Sequence, residues 1–192
     1  MKLKKLLLSS LALSVVAISG ITFKSETVEA WSADNGSVYE HTENTHLWIV
    51  DGGLGILSRN PETRFIYDYI MVHPNWNRMA KGLYDADHVF EFKKTMWAQH
   101  FYDPYKGRTF GLASAFGAES AKVKGQTYFD KSIECYKDNN LVDAMYYFGV
   151  SLHYFTDISQ PMHANNFTAV DSPVGYHVKY EQYTDWIKKD SA

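Results

Sequence analysis

Between Ser151 and Glu181 the chain reads SLHYFTDISQPMHANNFTAVDSPVGYHVKYE. The spacing of histidines and carboxylates in this stretch restricts the fold more than any other feature. His153 and Asp157 are separated by four positions, His163 follows, and His177 and Glu181 repeat the interval. On a helix, residues i and i+4 share a face with Cβ atoms about 5–6 Å apart. An imidazole and a carboxylate so placed can hold one ion at about 2.0–2.2 Å. Each residue alone fits a hydrogen-bonded core histidine or a helix-capping aspartate equally well. Two such pairs with His163 between them point to metal, because hard and borderline cations take mixed histidine and carboxylate ligands. The preceding run AMYYFGVSL, residues 144–152, is too apolar for a surface helix. His153 and Asp157 are therefore expected to project from a buried element, where a carboxylate needs a partner.

The N-terminus carries Lys2, Lys4 and Lys5, an apolar run from Leu6 to Ile18, and Val28-Glu29-Ala30 before Trp31. This is the pattern of a secretory signal peptide over residues 1–30, followed by one domain over residues 31–192. The apolar run is short against the roughly 20 residues of a membrane span, so a soluble, secreted, extracellular protein is expected. The formal net charge is −3, and it becomes more negative once the leader lysines are gone. An acidic balance argues against nucleic acid or an anionic surface held by charge. Cys135 is the only cysteine, so no internal disulfide can form. Cleavage before Trp31 would free an α-amino group that, with the Trp31 carbonyl oxygen, can chelate a metal.

Farther along, His46 stands at the start of a helical pattern (Leu47, Trp48, Val50, Leu54, Leu57) with Thr45 as its expected N-cap. That helix stops before Pro61. Phe65, Ile66, Tyr69 and Ile70 predict a second helix, interrupted at Pro74 and resumed through Trp76, Met79 and Leu83. Residues 84–88, YDADH, read as an acidic loop carrying Asp87, and His100 sits among aromatics. A further amphipathic helix is predicted from Phe116 to Tyr136, followed by a turn at residues 137–140. No alternating strand pattern occurs, and the expected class is all-α with long loops.

The set Trp31, His46, Asp87, His100, His153-x3-Asp157, His163 and His177-x3-Glu181, in that order, resembles the secreted zinc-dependent phospholipases C of Gram-positive bacteria. The specific matches are Trp-Ser-Ala-Asp at 31–34, YDADH at 84–88, HFYDP at 100–104 and, above all, HYFTDISQPMHANNFT at 153–168. The resemblance implies an all-α, multi-helix zinc phospholipase fold with three zinc ions. Asp87, His100, His153 and Asp157 would hold one; the Trp31 amine and carbonyl, His46 and again Asp157 a second; His163, His177 and Glu181 the third. It further implies headgroup contacts from Asp34, His88 and Trp97, with His88 replacing a tyrosine and Trp97 a phenylalanine of the family. Asp87 would be the general base.

The expected activity is hydrolysis of the glycerol–phosphate ester of phospholipids at a membrane surface, by a peripheral monomer without a transmembrane segment. The family's domain continues for several helices past Glu181, so the chain looks truncated. Two alternatives stand beside this reading: a zinc-dependent single-strand nuclease of the same fold, and a zinc-binding fragment without turnover.

Overall fold

The structure, a computed structural model, describes Tyr39, residues 44–89 and residues 97–190. Trp31, Asp34 and the expected signal peptide lie outside these residues. The elements are α1 (Thr45–Arg59), α2 (Arg64–Met71), α3 (His73–His88), a 3-10 turn (Ala98–His100), α4 (Gly111–Ala115), α5 (Ala121–Lys137), α6 (Leu141–Asp157), α7 (Pro161–Ala164) and α8 (Tyr176–Asp190). Among the described residues the only β feature is an isolated bridge between Asp103 and Arg108. No described helix is long and apolar enough to cross a membrane.

Local chemistry sets most boundaries. The Asn44 side chain, not Thr45, caps α1 by accepting from the Leu47 amide at 3.0 Å. Pro74 opens α3 in its first turn, where its missing N–H costs nothing. His73 is the first residue of that helix. Asn140 caps α6 after Asn139 has reversed the chain at φ 58°, a left-handed conformation that asparagine tolerates.

Two helix boundaries also differ from expectation. Residues 84–88 are not a loop but the last turns of α3, because Met79, Ala80, Leu83 and Ala86 extend one buried face at helical spacing. The helix predicted from Phe116 begins only at Ala121; Gly117, at φ 80°, follows the short helix α4 and leaves Phe116 exposed.

Helix α6 is the central element and packs along both α3 and α5. One core joins Leu47, Val50 and Leu54 of α1, Ile70 of α2, Met79, Ala80 and Leu83 of α3, and Met145 of α6. A second gathers Ala86, Ala121, Val150 and Tyr154. The α3–α6 crossing is backbone against backbone. A Cβ on Gly82 would collide with the Tyr146 carbonyl oxygen, and one on Gly149 with the Met79 carbonyl oxygen. This closeness brings Asp87 at the end of α3 up to His153 and Asp157 at the end of α6.

Gly82→Ala and Gly149→Ala should therefore each destabilise the protein by about 1–3 kcal/mol. Gly53→Ala, in α1 with nothing within 4 Å of an added Cβ, should stabilise by about 0.5–1 kcal/mol. Urea denaturation of the three variants measures both signs; a stabilised Gly82→Ala would refute the tight crossing.

Candidate metal centre

Six elements converge on one buried cluster. Helix α1 supplies His46 in its first turn, α3 supplies Asp87 in its last, and the 3-10 turn supplies His100. His153 and Asp157 close α6, His163 sits on α7, and His177 and Glu181 occupy the first turns of α8. None of these side chains belongs to a residue more than 5% exposed. Their ligand-capable atoms form three groups, each within 4.8 Å: His46, Asp87 and His153; His100, His153 and Asp157; His163, His177 and Glu181. In the structure His46 Nε2 lies 3.8 Å from Asp87 Oδ2, and Asp87 and Asp157 flank the same atom, His153 Nε2, at 3.3 and 3.4 Å.

The orientation of the imidazoles follows from their outer hydrogen bonds. His153 Nδ1 is 2.9 Å from the Leu83 carbonyl, His163 Nδ1 is 2.8 Å from the His100 carbonyl, and His177 Nδ1 is 2.5 Å from the Phe167 carbonyl. A carbonyl only accepts, so each Nδ1 donates and each neutral ring presents its Nε2 lone pair to the cluster. For His46 the acceptor is Thr156 Oγ1 at 2.6 Å, whose own proton goes to the His153 carbonyl at 2.8 Å. Nε2 of His46 is thus also the basic nitrogen. His100 is turned the other way, with Nδ1 2.8 Å from Asp157 Oδ2 and 3.2 Å from His153 Nε2.

Acceptors therefore face acceptors. His163 Nε2 and His177 Nε2 are 3.3 Å apart, and Glu181 Oε1 lies 2.7 Å from the latter. Both carboxylate oxygens of Asp87 and Oδ1 of Asp157 are buried without a hydrogen-bond partner. Lone pairs collected in a buried space are stable only around a cation, a proton or a metal ion. The mixed nitrogen and carboxylate-oxygen donor set fits zinc.

The charges record the same need. Burial opposes ionisation of Asp157 most strongly, yet the His153 and His100 imidazoles hold its carboxyl well below the usual 3.8. Asp87 is lowered too, by His153, His100 and His46, although burial again opposes its charge. Burial disfavours the His153 imidazolium, but Asp87 and Asp157 outweigh it and raise the ring from 6.5 to about 9. His163 is likewise raised to about 9 against burial, by Asp157 and Glu181.

Several positioning residues carry no metal-ligand signal in the sequence. Gln160 is fully buried; its Oε1 caps α7 by accepting from the His163 amide at 2.8 Å, and its Nε2 donates to Glu181 Oε1 at 3.1 Å. Thr156 and the Leu83 and Phe167 carbonyls serve His46, His153 and His177 as described. Of the expected headgroup residues, Trp97 has a left-handed backbone (φ 66°) and its indole centroid is 5.6 Å from the His100 ring. The His88 ring lies flat on Tyr84, centroids 3.7 Å apart, with Nδ1 2.7 Å from the Tyr84 carbonyl.

Comparison with known proteins matches this arrangement to a family. The family model "Zinc dependent phospholipase C" matches residues 45–191. A phospholipase C of Bacillus cereus is 38% identical over 198 residues, covering 96% of this chain and 67% of the relative. One of Listeria monocytogenes is 38% identical over 161 residues, covering 83% of this chain and 53% of the relative. The solved alpha toxin of Clostridium absonum superposes with a TM-score of 0.66 at 25% identity, covering 82% of this chain and 44% of the toxin. The chain thus spans about two thirds of the Bacillus relative and about half of the Listeria one. With the all-α fold, the zinc-compatible cluster and the family match over most of its length, the chain belongs to the zinc-dependent phospholipase C family.

Proposed function

We propose that the chain is a secreted enzyme that cleaves the glycerol–phosphate ester of phospholipids, giving diacylglycerol and a phosphorylated headgroup, with three zinc ions in the cluster. The observation that carries this reading is the convergence of Nε2 lone pairs and buried carboxylate oxygens at one place. Asp87, His100, His153 and Asp157 hold one ion; His46, Asp157 and the Trp31 amine and carbonyl a second; His163, His177 and Glu181 a third. Removal of residues 1–30 as a signal peptide frees the Trp31 amine and leaves a domain over residues 31–192.

Zinc in such a site supplies Lewis acidity to phosphoryl oxygens and lowers the pKa of water towards about 7. Asp87, Asp157 and Glu181 bring only three negative charges to three divalent ions, so the loaded pocket stays cationic and draws a phosphodiester. No nucleophilic side chain is needed. Asp87, whose oxygens have no hydrogen-bond donor of their own, orients the attacking water and takes its proton. Trp97, beside His100, offers an aromatic face to a cationic headgroup, with Asp34 and His88 as its companions. The phospholipid is met at a membrane surface.

Metal analysis of the secreted protein should give three zinc ions per chain. Asp157→Asn should lose more than His46→Ala, and a chelator should abolish hydrolysis of phosphatidylcholine and leave single-stranded DNA untouched throughout. Retention of hydrolysis after complete zinc removal would overturn the reading.

Metal-free and loaded protein should respond oppositely to pH. In the metal-free protein the His153 and His163 imidazolium ions are stabilised by their carboxylates. Their contribution is full below the ordinary 6.5 and is lost as pH rises through about 9. Zinc displaces these protons, so its affinity should rise over the same window. Thermal midpoints from pH 6 to 10, with and without chelator, test this; a metal-free midpoint that does not fall would contradict it.

His88→Tyr should shift preference towards choline over serine lipids by about 0.5–2 kcal/mol, the worth of one cation–π contact. The ratio of kcat/KM for the two lipids measures it. An unchanged ratio would remove His88 from the headgroup site.

A further inference from the structure

Lys188 of α8 is 1% exposed, an unusual position for an ammonium. Its Nζ donates to Thr45 Oγ1 at 2.7 Å and to Asp185 Oδ1 at 2.8 Å. The Thr45 hydroxyl proton goes to the same Asp185 Oδ1 at 2.6 Å. The three groups form a closed triangle in which the hydroxyl both gives and receives, and the buried ammonium faces its counter-charge.

The triangle joins two parts of the cluster. His177, Glu181, Asp185 and Lys188 fall on one face of α8 at spacings of four, four and three, so the helix that carries two residues of the His163 group also carries the clamp. Thr45 is the first residue of α1 and adjoins His46. The Asn44 cap is already satisfied by the Leu47 amide, so capping the helix does not require the Thr45 hydroxyl. Next to it, His46 is held by Thr156 at Nδ1 and stacks on His153 with ring centroids 3.9 Å apart. A shift of α1 along its axis would break both contacts, and the triangle opposes that shift.

We infer that Thr45, Asp185 and Lys188 are positioning residues that lock α8 to the start of α1 and hold His46 in register with the other ligand groups. This rests on the proposed role of His46 as a zinc ligand. The network touches neither substrate nor metal, and its effect passes through the placement of His46. Outer partners of metal-binding histidines typically govern about 10–100-fold of metal affinity.

The experiment uses the secreted, zinc-loaded protein and a chromophoric chelator to titrate zinc release, with the thermal midpoint of each variant measured in parallel. His46→Ala identifies the zinc that depends on that residue. Lys188→Met and the near-isosteric Thr45→Val should release this zinc at chelator concentrations about 10–100-fold lower than the parent, while Thr45→Ser, which keeps the hydroxyl, should restore parental retention. Ser132→Ala removes a buried bond to the Ala144 carbonyl between α5 and α6, remote from the triangle, and should lower the midpoint without changing zinc release. If Thr45→Val and Lys188→Met lower the midpoint as Ser132→Ala does and keep parental zinc retention, the triangle is only structural and the inference fails. If His46→Ala releases zinc like the parent, the proposed ligand set itself is wrong.

Discussion

Asp87 and Asp157 come from different helices and approach the same nitrogen of His153, at 3.3 and 3.4 Å, with almost no access to water. Two carboxylates so close repel each other strongly in a low-dielectric interior. They can remain there only if positive charge lies between or beside them. In the protein alone that charge is a set of protons, which is why His153 is pushed up to about 9. Zinc satisfies the same requirement with more charge in a smaller volume. The rest of the centre follows from this: His46, His153, His163 and His177 each present a lone pair inward and each needs an acceptor behind it, while His100 turns its Nδ1 to Asp157 instead. Three of those acceptors are backbone carbonyls, and the fourth is a hydroxyl already committed to another carbonyl.

The helices are arranged to allow that convergence. Gly82 and Gly149 let α3 and α6 approach at backbone distance, so that their C-terminal ends place Asp87 against His153 and Asp157. Gln160 then does two things at once, starting α7 at the position that presents His163 and steadying Glu181 from α8. The Thr45–Asp185–Lys188 triangle ties α8 back to α1. The centre is thereby enclosed by elements distant in sequence, and its geometry depends on all of them together.

Family membership agrees with this physical account, because the matched span, residues 45–191, contains every described residue of the cluster. The relatives are longer than the chain.

Part of the candidate cluster was legible in the sequence because pairs of ligand-type residues recur one helical turn apart. His153 with Asp157 and His177 with Glu181 sit one helical turn apart, and periodicity alone puts each pair on one face. The absence of strand alternation likewise indicated a helical fold. YDADH looks polar in isolation and suggests a loop; only burial against α6 shows why the helix continues through Asp87. Nothing local marks Thr156, Gln160 or Lys188, whose partners lie 110, 21 and 143 positions away. The sequence by itself determined which residues could bind metal and on which helical faces they lie. The tertiary structure decided which nitrogen of each imidazole faces inward, which carboxylate meets which histidine, and where a buried lysine is tolerated, because hydrogen-bond partners and charge compensation are properties of the assembled interior.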